Sequence, residues 1–244
     1  NTKQYKKIIL EKDLDKLIKD LNTKGIISVD TETSSLNPQE AELIGISVSY
    51  APNKSFYIPV GHKKNKCLSK DLVIKKMKPI LEDPSIKKVG QNIKYDYIIF
   101  KKSGIELTSI EDTMLLSYTL DAGNNRHNMD TLSELHLGHK TISYKDLVGT
   151  GKKQLKFSEV DLDKATEYAA EDADVTLRLY QILYERVEKE KLNKIYEIFE
   201  KPMIKILSKL ETCGVKVDDN YLKVLSKKFE ARLTKIEKEI FKIS

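Results

Sequence analysis

Lys164–Tyr180, KATEYAAEDADVTLRLY, combines a helical pattern with a crowd of acids that the rest of this basic chain does not show. Tyr168 and Asp172 are four residues apart, a spacing that stacks both side chains on one helical face, and the small Ala169 and Ala170 between them leave room for another group to approach. Leu177 and Tyr180 continue a neighbouring apolar face, so the helix also has a side to bury. Glu167, Glu171, Asp172 and Asp174 lie close together within it. A macrodipole favours acids in the first half of any helix, so this stretch alone does not separate a site from an ordinary helix start. Acids elsewhere in the chain do.

The same period-two and helical reasoning carries outward. In IISVDTETSSLNP (26–38), Asp30 and Glu32 end an apolar run, and strand alternation turns both to one face. Two carboxylates there repel each other unless a cation sits between them. In VGQNIKYDYIIF (89–100), Asp96 falls one helical turn after Asn92, beside an apolar face. Asp30, Glu32, Asp96 and Asp172 with its Tyr168 thus each sit at an element end flanked by core. Four carboxylates with no Cys or His beside them are hard oxygen ligands, suited to Mg²⁺ or Mn²⁺ rather than zinc.

Taken in order, Leu10, Leu14, Leu17, Ile18 and Leu21 recur at helical spacing before Gly25. Ile26–Asp30, Leu43–Tyr50 and Phe56–Val60 are short apolar runs with turn-rich connections, read as an antiparallel meander. A helix is expected over Lys70–Leu81, a fourth strand over Ile86–Val89, and helices from near Asn92, over Thr113–Leu120 and over Met129–Leu137. Residues 138–157 read as loop or short turns, and the helix of Tyr168 and Asp172 closes near Glu190. Beyond it, 192–212 and 221–241 are helical, with Pro202 in a first turn or at a kink. The expected architecture is α/β, a mixed sheet flanked by helices, with a C-terminal pair of long helices. The domain division is expected at 190/191, with 1–190 as one domain and 191–244 as a fragment of a following one.

Composition bounds the function. The chain has 244 residues, 40% hydrophobic, with a net charge of +6, and of its 43 basic residues only Arg126, Arg178, Arg186 and Arg232 are arginines. Lys and Ile richness of this kind reflects an A+T-rich genome. A basic excess permits nucleic-acid binding without requiring it. Cys67 and Cys213 have no disulfide-framework or metal-type spacing. No apolar run approaches the roughly 20 residues of a membrane span, and the start lacks a signal peptide's apolar core. A reducing, cytoplasmic setting and a piece of a larger protein are expected, since the chain opens on Asn1.

At the acids the resemblance becomes specific. DTETSSL (30–36), GQNIKYD (90–96) and YAAEDADVTLRLY (168–180) resemble the three exonuclease motifs of the DEDD superfamily in its tyrosine-bearing branch. Their order and wording are similar to the 3′→5′ proofreading domain of bacterial family A DNA polymerases, the DNA polymerase I type. LSYTLDAGNNRHNMDTLSELHLGHKTISYKDLVGTGKKQLKF (116–157) resembles the connecting segment of that family, so the likeness covers residues 1 to about 190. KPMIKILSKLETCGVKVDDNYL (201–222) is similar to the start of the polymerase domain.

The resemblance implies a ribonuclease H-like fold, three antiparallel strands followed by parallel ones. It implies two-metal hydrolysis with Mg²⁺, or Mn²⁺ in its place. In that scheme Asp30 bridges both ions, Glu32 and Asp172 hold the ion carrying the nucleophilic water, Asp96 acts through water on the second, and Tyr168 orients the attacking water. Leu36, Tyr95 and Tyr144 match positions that pack or stack on terminal nucleotides, and Gln91, Asn92 and Arg126 match positions near substrate phosphates. The partners implied are a single-stranded or frayed 3′ end of DNA and the rest of a polymerase chain, with the chain otherwise monomeric. In a bacterium the setting is the nucleoid, and an organelle of bacterial descent would also suit.

Two other readings remain open at this point: a stand-alone RNase D-like exoribonuclease, which would share the acids and the tyrosine, and an inert nucleic-acid-binding domain of the same fold. GTGKKQ (149–154) lacks the earlier Gly and the Ser or Thr of a nucleotide-hydrolysing phosphate loop and is read as a flexible basic loop. His136 and His139 lack further soft ligands and are read as surface or core residues. Lys63, Lys64 and Lys66 are read as a solvated charge run.

Overall fold

The structure, a computed structural model, describes residues 3–63, 66–151 and 154–243, so Lys64, Lys152 and Lys153 of the two basic loops lie outside the described residues. One mixed sheet of six strands organises the chain: β1 (Gln4–Lys7), β2 (Ile26–Thr33), β3 (Leu43–Ala51), β4 (Lys54–Pro59), β5 (Lys87–Gly90) and β6 (Ile110–Asp112). Their order is β1-β4-β3-β2-β5-β6. β2, β3 and β4 form the antiparallel meander read from the sequence, and β5 and β6 add in parallel beyond β2.

Two strands were not legible in the sequence. β1, QYKK, pairs in parallel with β4 at the sheet edge and stays largely exposed, so it carries no apolar alternation to betray it. β6 is three residues long, and two of them are the acids Glu111 and Asp112, buried because other side chains satisfy them.

Helices cover both faces. On one lie α1 (Glu11–Leu21), α2 (Lys70–Leu81) and α3 (Ile93–Lys102), which join Ile27, Val29, Ile46 and Val48 in one apolar core. The chain continues through α4 (Thr113–Asp121), α5 (Met129–Leu137) and the short α6 (Tyr144–Val148), the last within the segment expected to be loop or turns. α7 (Leu162–Lys189) lies across the opposite face and touches β1 to β5. It starts on an Asp161 cap whose carboxylate accepts the Asp163 and Lys164 amides. Small residues let it sit close: Ser28 and Ser49 on the sheet, and Ala169, Ala170 and Ala173 on the helix, are buried, and the Ser28 hydroxyl donates to the Ala173 carbonyl at 2.6 Å.

After α7 come α8 (Asn193–Ile195), a five-residue π-helical turn (Tyr196–Glu200), and α9 (Lys201–Cys213), with Pro202 in its first turn as the sequence allows. The chain divides into two compact units, Asn1–Thr212 and Cys213–Ser244. That division does not coincide with the 190/191 boundary, because Tyr196 and Ile204 are buried in the first unit's cores. The second unit contains α10 (Asp219–Ile243), an amphipathic helix with no buried residue. No helix among the described residues is long and apolar enough to cross a membrane.

Candidate active site

Each acid arrives because of where its element ends. β2 carries Asp30 and Glu32 to the sheet's end, where the register with β3 shifts between Glu32 and Thr33. Opposite them on β3 stand Ser47 and Gly45, and the Tyr57 ring packs directly over Gly45. Gly45 has no alternative: a Cβ there would meet the Tyr57 hydroxyl oxygen at 2.2 Å. Beside the strand acids α7 brings Tyr168 and Asp172 and the first turn of α3 brings Tyr95 and Asp96, and these residues line one cavity of about 710 Å³ with Asp30 and Glu32.

Within the cavity, ligand oxygens of Asp30, Glu32 and Asp172 lie within 4.8 Å of one another, the one such group of three among the described residues. Asp96 stands beside this group, held through Oδ1 by the Thr31 amide at 2.8 Å and the Thr31 hydroxyl at 2.5 Å. His136 and His139 make no such group, and His139 Nε2 instead meets Glu171 at 3.0 Å.

The charges are unfavourable as they stand. Burial pushes the Asp30 carboxyl up to about 6, against the Thr31 amide that pulls it down. Burial raises Glu32 well above the usual range, and the charges of Asp30, Asp172 and Asp96 add to it. Asp96 and Asp172 are likewise raised, first by burial and then by Asp30, with Thr31 and the Tyr168 hydroxyl respectively pulling the other way. The buried Glu32 Oε1 has no hydrogen-bond partner. Desolvated, mutually repelling carboxylates with an orphaned oxygen form a donor set that fits a hard divalent cation.

Tyr168 is raised by burial and by Asp172, Glu32 and Asp30, so its phenol stays protonated and able to donate. Its ring is held on two sides, by Tyr144 at 6.0 Å and by Phe157 at 6.1 Å between centroids. Tyr144 is half-exposed at the cavity, and Leu36 is 96% exposed there. Such apolar surface offered to solvent beside a polar cavity suits a flat or apolar ligand group.

All the predicted site residues except Arg126 line this cavity; Arg126 is exposed on the connection between α4 and α5. Gln91 and Tyr95 line it with their polar ends bonded within the chain. Gln91 Nε2 donates to the His127 carbonyl at 2.8 Å, and the Tyr95 hydroxyl donates to the Ser35 carbonyl and meets Thr33 Oγ1, both at 2.5 Å. Sequence reasoning missed Thr31, Thr33, Ser34, Ser35 and Gln154, which also line the cavity. Thr31 stood between the two strand acids and was the one with a signal. Thr33, Ser34 and Ser35 follow in the same DTETSSL stretch with no charge to mark them, and Gln154 lies in the basic loop.

The chain is similar to known proteins in sequence and in fold. A family model described as 3′-5′ exonuclease matches residues 5–188. DNA polymerase I of Rhizobium leguminosarum is 42% identical, over 93% of this chain and 24% of its own length. DNA polymerase I of Borreliella burgdorferi is 37% identical, over 98% of this chain and 26% of its own. The chain thus spans about a quarter of the length of these curated relatives. Among solved structures, Brucella melitensis NrnC superposes with a TM-score of 0.66 at 21% identity, covering 90% of this chain and 98% of its own. The polymerase domain of Pol1 from M. smegmatis, in complex with DNA primer-template and dNTP, gives 0.73 at 16% identity, over 94% of this chain and 36% of its own. These two likenesses establish the fold, the ribonuclease H-like mixed sheet, and the sequence matches establish the kinship. The chain belongs to the 3′-5′ exonuclease family, in the form carried by bacterial DNA polymerase I.

Proposed function

We propose that this chain removes the 3′-terminal nucleotide from single-stranded or frayed DNA by metal-dependent hydrolysis, as the proofreading domain of a longer polymerase chain in the cytoplasm. The observation that carries this is the meeting of Asp30, Glu32 and Asp172 within 4.8 Å in a cavity shared with Tyr168, Asp96, Leu36 and Tyr144. Asp30, Glu32 and Asp172 would hold two divalent cations, Mg²⁺ or Mn²⁺, with Asp96 acting through water. When bound, such ions activate a water and stabilise the departing 3′ oxygen in an in-line displacement at phosphorus.

The chain's own groups supply the rest. Tyr168, protonated and braced by two rings, orients the attacking water through its hydroxyl. Asp172 is four residues on, on the same helical face, so tyrosine and carboxylate move as one rigid unit. Leu36 and the Tyr95 and Tyr144 rings offer sequence-tolerant surfaces to the last bases, a mode that stacks on any base. Preference for frayed ends follows, because a site surrounding the last nucleotide must first unpair it, at a few kcal/mol that a mismatch reduces. Asn92 lines the cavity within reach of a bound strand, and Arg126 would meet phosphates only beyond the cavity. Residues 191–244 would begin the polymerase part of the longer protein, whose remaining chain is the covalent partner of an otherwise monomeric domain.

End-labelled single-stranded DNA and RNA incubated with Mg²⁺ and resolved on a gel test this reading. A ladder shortening from the 3′ end on DNA is expected. Degradation of RNA alone would establish the RNase D-like alternative, and no shortening of either strand the inert binding domain.

A further inference from the structure

Four residues that line the cavity, Gln91, Asn92, Tyr95 and Asp96, descend from one tight turn between β5 and α3. That turn is not self-sufficient. Gly90 cannot carry a side chain, since a Cβ there would lie 2.7 Å from Ile93, and Asn92 adopts the left-handed conformation at φ 58°. Its neighbours supply what the turn lacks. The Asp112 carboxylate accepts the Asn92 amide at 3.1 Å, the Ile93 amide at 3.0 Å and the Met114 amide at 2.8 Å, capping α3 and α4 together. The Thr113 hydroxyl reaches the Gly90 carbonyl at 3.1 Å and Gln91 Oε1 at 2.5 Å.

Asp112 is itself anchored from outside the matched family segment. Its amide donates to the Tyr196 hydroxyl oxygen at 3.0 Å, and that hydroxyl donates to Glu111 at 2.9 Å. Glu111 also accepts Lys201 Nζ at 2.8 Å. Tyr196 is fully buried and opens the π-helical turn, an irregularity often found where a helix serves function. Tyr196 and Lys201 thus tie the chain after α7 to Glu111 and Asp112 of β6, the stretch that braces the turn carrying the second motif, GQNIKYD.

Resting on the exonuclease reading above, we propose that Asp112, Thr113 and Tyr196 are positioning residues of the site: through the Gly90–Ile93 turn they fix Asp96 and Asn92 relative to the strand acids. Asp96 is the carboxylate held outside the tight group, so its placement is the one most exposed to a shift of α3. The chain after α7 then contributes to the site without entering the cavity.

The test compares Tyr196→Phe, Thr113→Val and Thr113→Ser with the unsubstituted chain. Ser133→Ala, which deletes a buried hydroxyl bond to the His139 carbonyl that is not among the bonds of the turn, is the control. Far-UV circular dichroism at the assay temperature certifies folding, and the readouts are the Mg²⁺ concentration giving half-maximal cleavage, KM for single-stranded DNA, and Mn²⁺ affinity by calorimetry. Tyr196→Phe and Thr113→Val are expected to raise the half-maximal Mg²⁺ concentration about 3- to 10-fold and KM severalfold, the range of losing a residue that orients a ligand. Thr113→Ser is expected to restore both, and Ser133→Ala to change neither. Folded Thr113→Val with all three readouts within twofold of the unsubstituted chain would overturn the proposal, whatever Tyr196→Phe does. If the unsubstituted chain cleaves nothing, the functional reading fails first, and unchanged Mn²⁺ affinity in Thr113→Val then overturns the positioning role separately.

Discussion

One oxygen of Asp96 accepts both donors of Thr31, the amide at 2.8 Å and the hydroxyl at 2.5 Å, so the carboxylate from α3 is fastened to β2 between Asp30 and Glu32. Strand alternation turns the Thr31 side chain away from its two acidic neighbours, and α3 meets it there. Thr31→Val keeps the shape and removes the hydroxyl. A stability loss of about 1 kcal/mol is expected, typical of one buried hydrogen bond, with cleavage slowed about 5- to 50-fold. Denaturant melts and single-turnover rates check both, and an unchanged rate would show that Asp96 is placed by its backbone alone.

Tyr168 should separate from the acids. Tyr168→Phe removes one hydroxyl and keeps the ring contacts with Tyr144 and Phe157. Metal and DNA affinity are expected to survive while the chemical step slows by about 10²- to 10⁴-fold, the range for one acid–base or water-orienting group. Single-turnover cleavage beside a metal titration decides, and loss of metal binding would sink the assignment.

The pH dependence follows from Asp30. Its folded pKa, about 6, lies above the ordinary carboxylate value of about 3.9. Between these values the folded chain binds more protons than the unfolded one, so metal-free stability is greatest below about pH 4 for this group and falls as the pH rises through 6. Asp30→Asn removes that dependence and relieves repulsion on Glu32. At pH 8 without metal, Asp30→Asn is expected to melt about 3–6 °C above the unsubstituted chain, with the gap closing toward pH 5. Mg²⁺ at pH 8 should raise the melting temperature of the unsubstituted chain only, and Asp30→Asn should not cleave. Parallel pH profiles in calorimetry would contradict this.

Gly45 tests the seat of the site. Gly45→Ala forces its new methyl against the buried Tyr57 hydroxyl, which is bonded to His62 Nε2 at 2.9 Å and cannot swing freely. A loss of about 1–3 kcal/mol is expected, the scale of overpacking a filled core. Because Gly45 pairs with Glu32, cleavage should fall more than stability explains at a temperature where the variant is folded. A fully active, undestabilised Gly45→Ala would refute the close packing of Tyr57 over β3.

Periodicity made the meander, the long helix and the acids legible, because each rests on spacing within one element: Asp30 and Glu32 two apart on a strand, Tyr168 and Asp172 four apart on a helix. Those positions, read against the family resemblance, were enough to name the family. Only the folded chain decided which carboxylates meet. Asp30, Glu32 and Asp172 converge because Ser28 and the alanines of α7 let helix and sheet approach closely, while Asp96 is drawn aside by Thr31. The same holds for β1 and β6, whose pairing is set by partners far along the chain rather than by their own residues. Gln91 shows the limit most plainly, since its place near the cavity could be expected from its motif, but its bonds to the His127 carbonyl and to Thr113 are long-range contacts that no local pattern encodes.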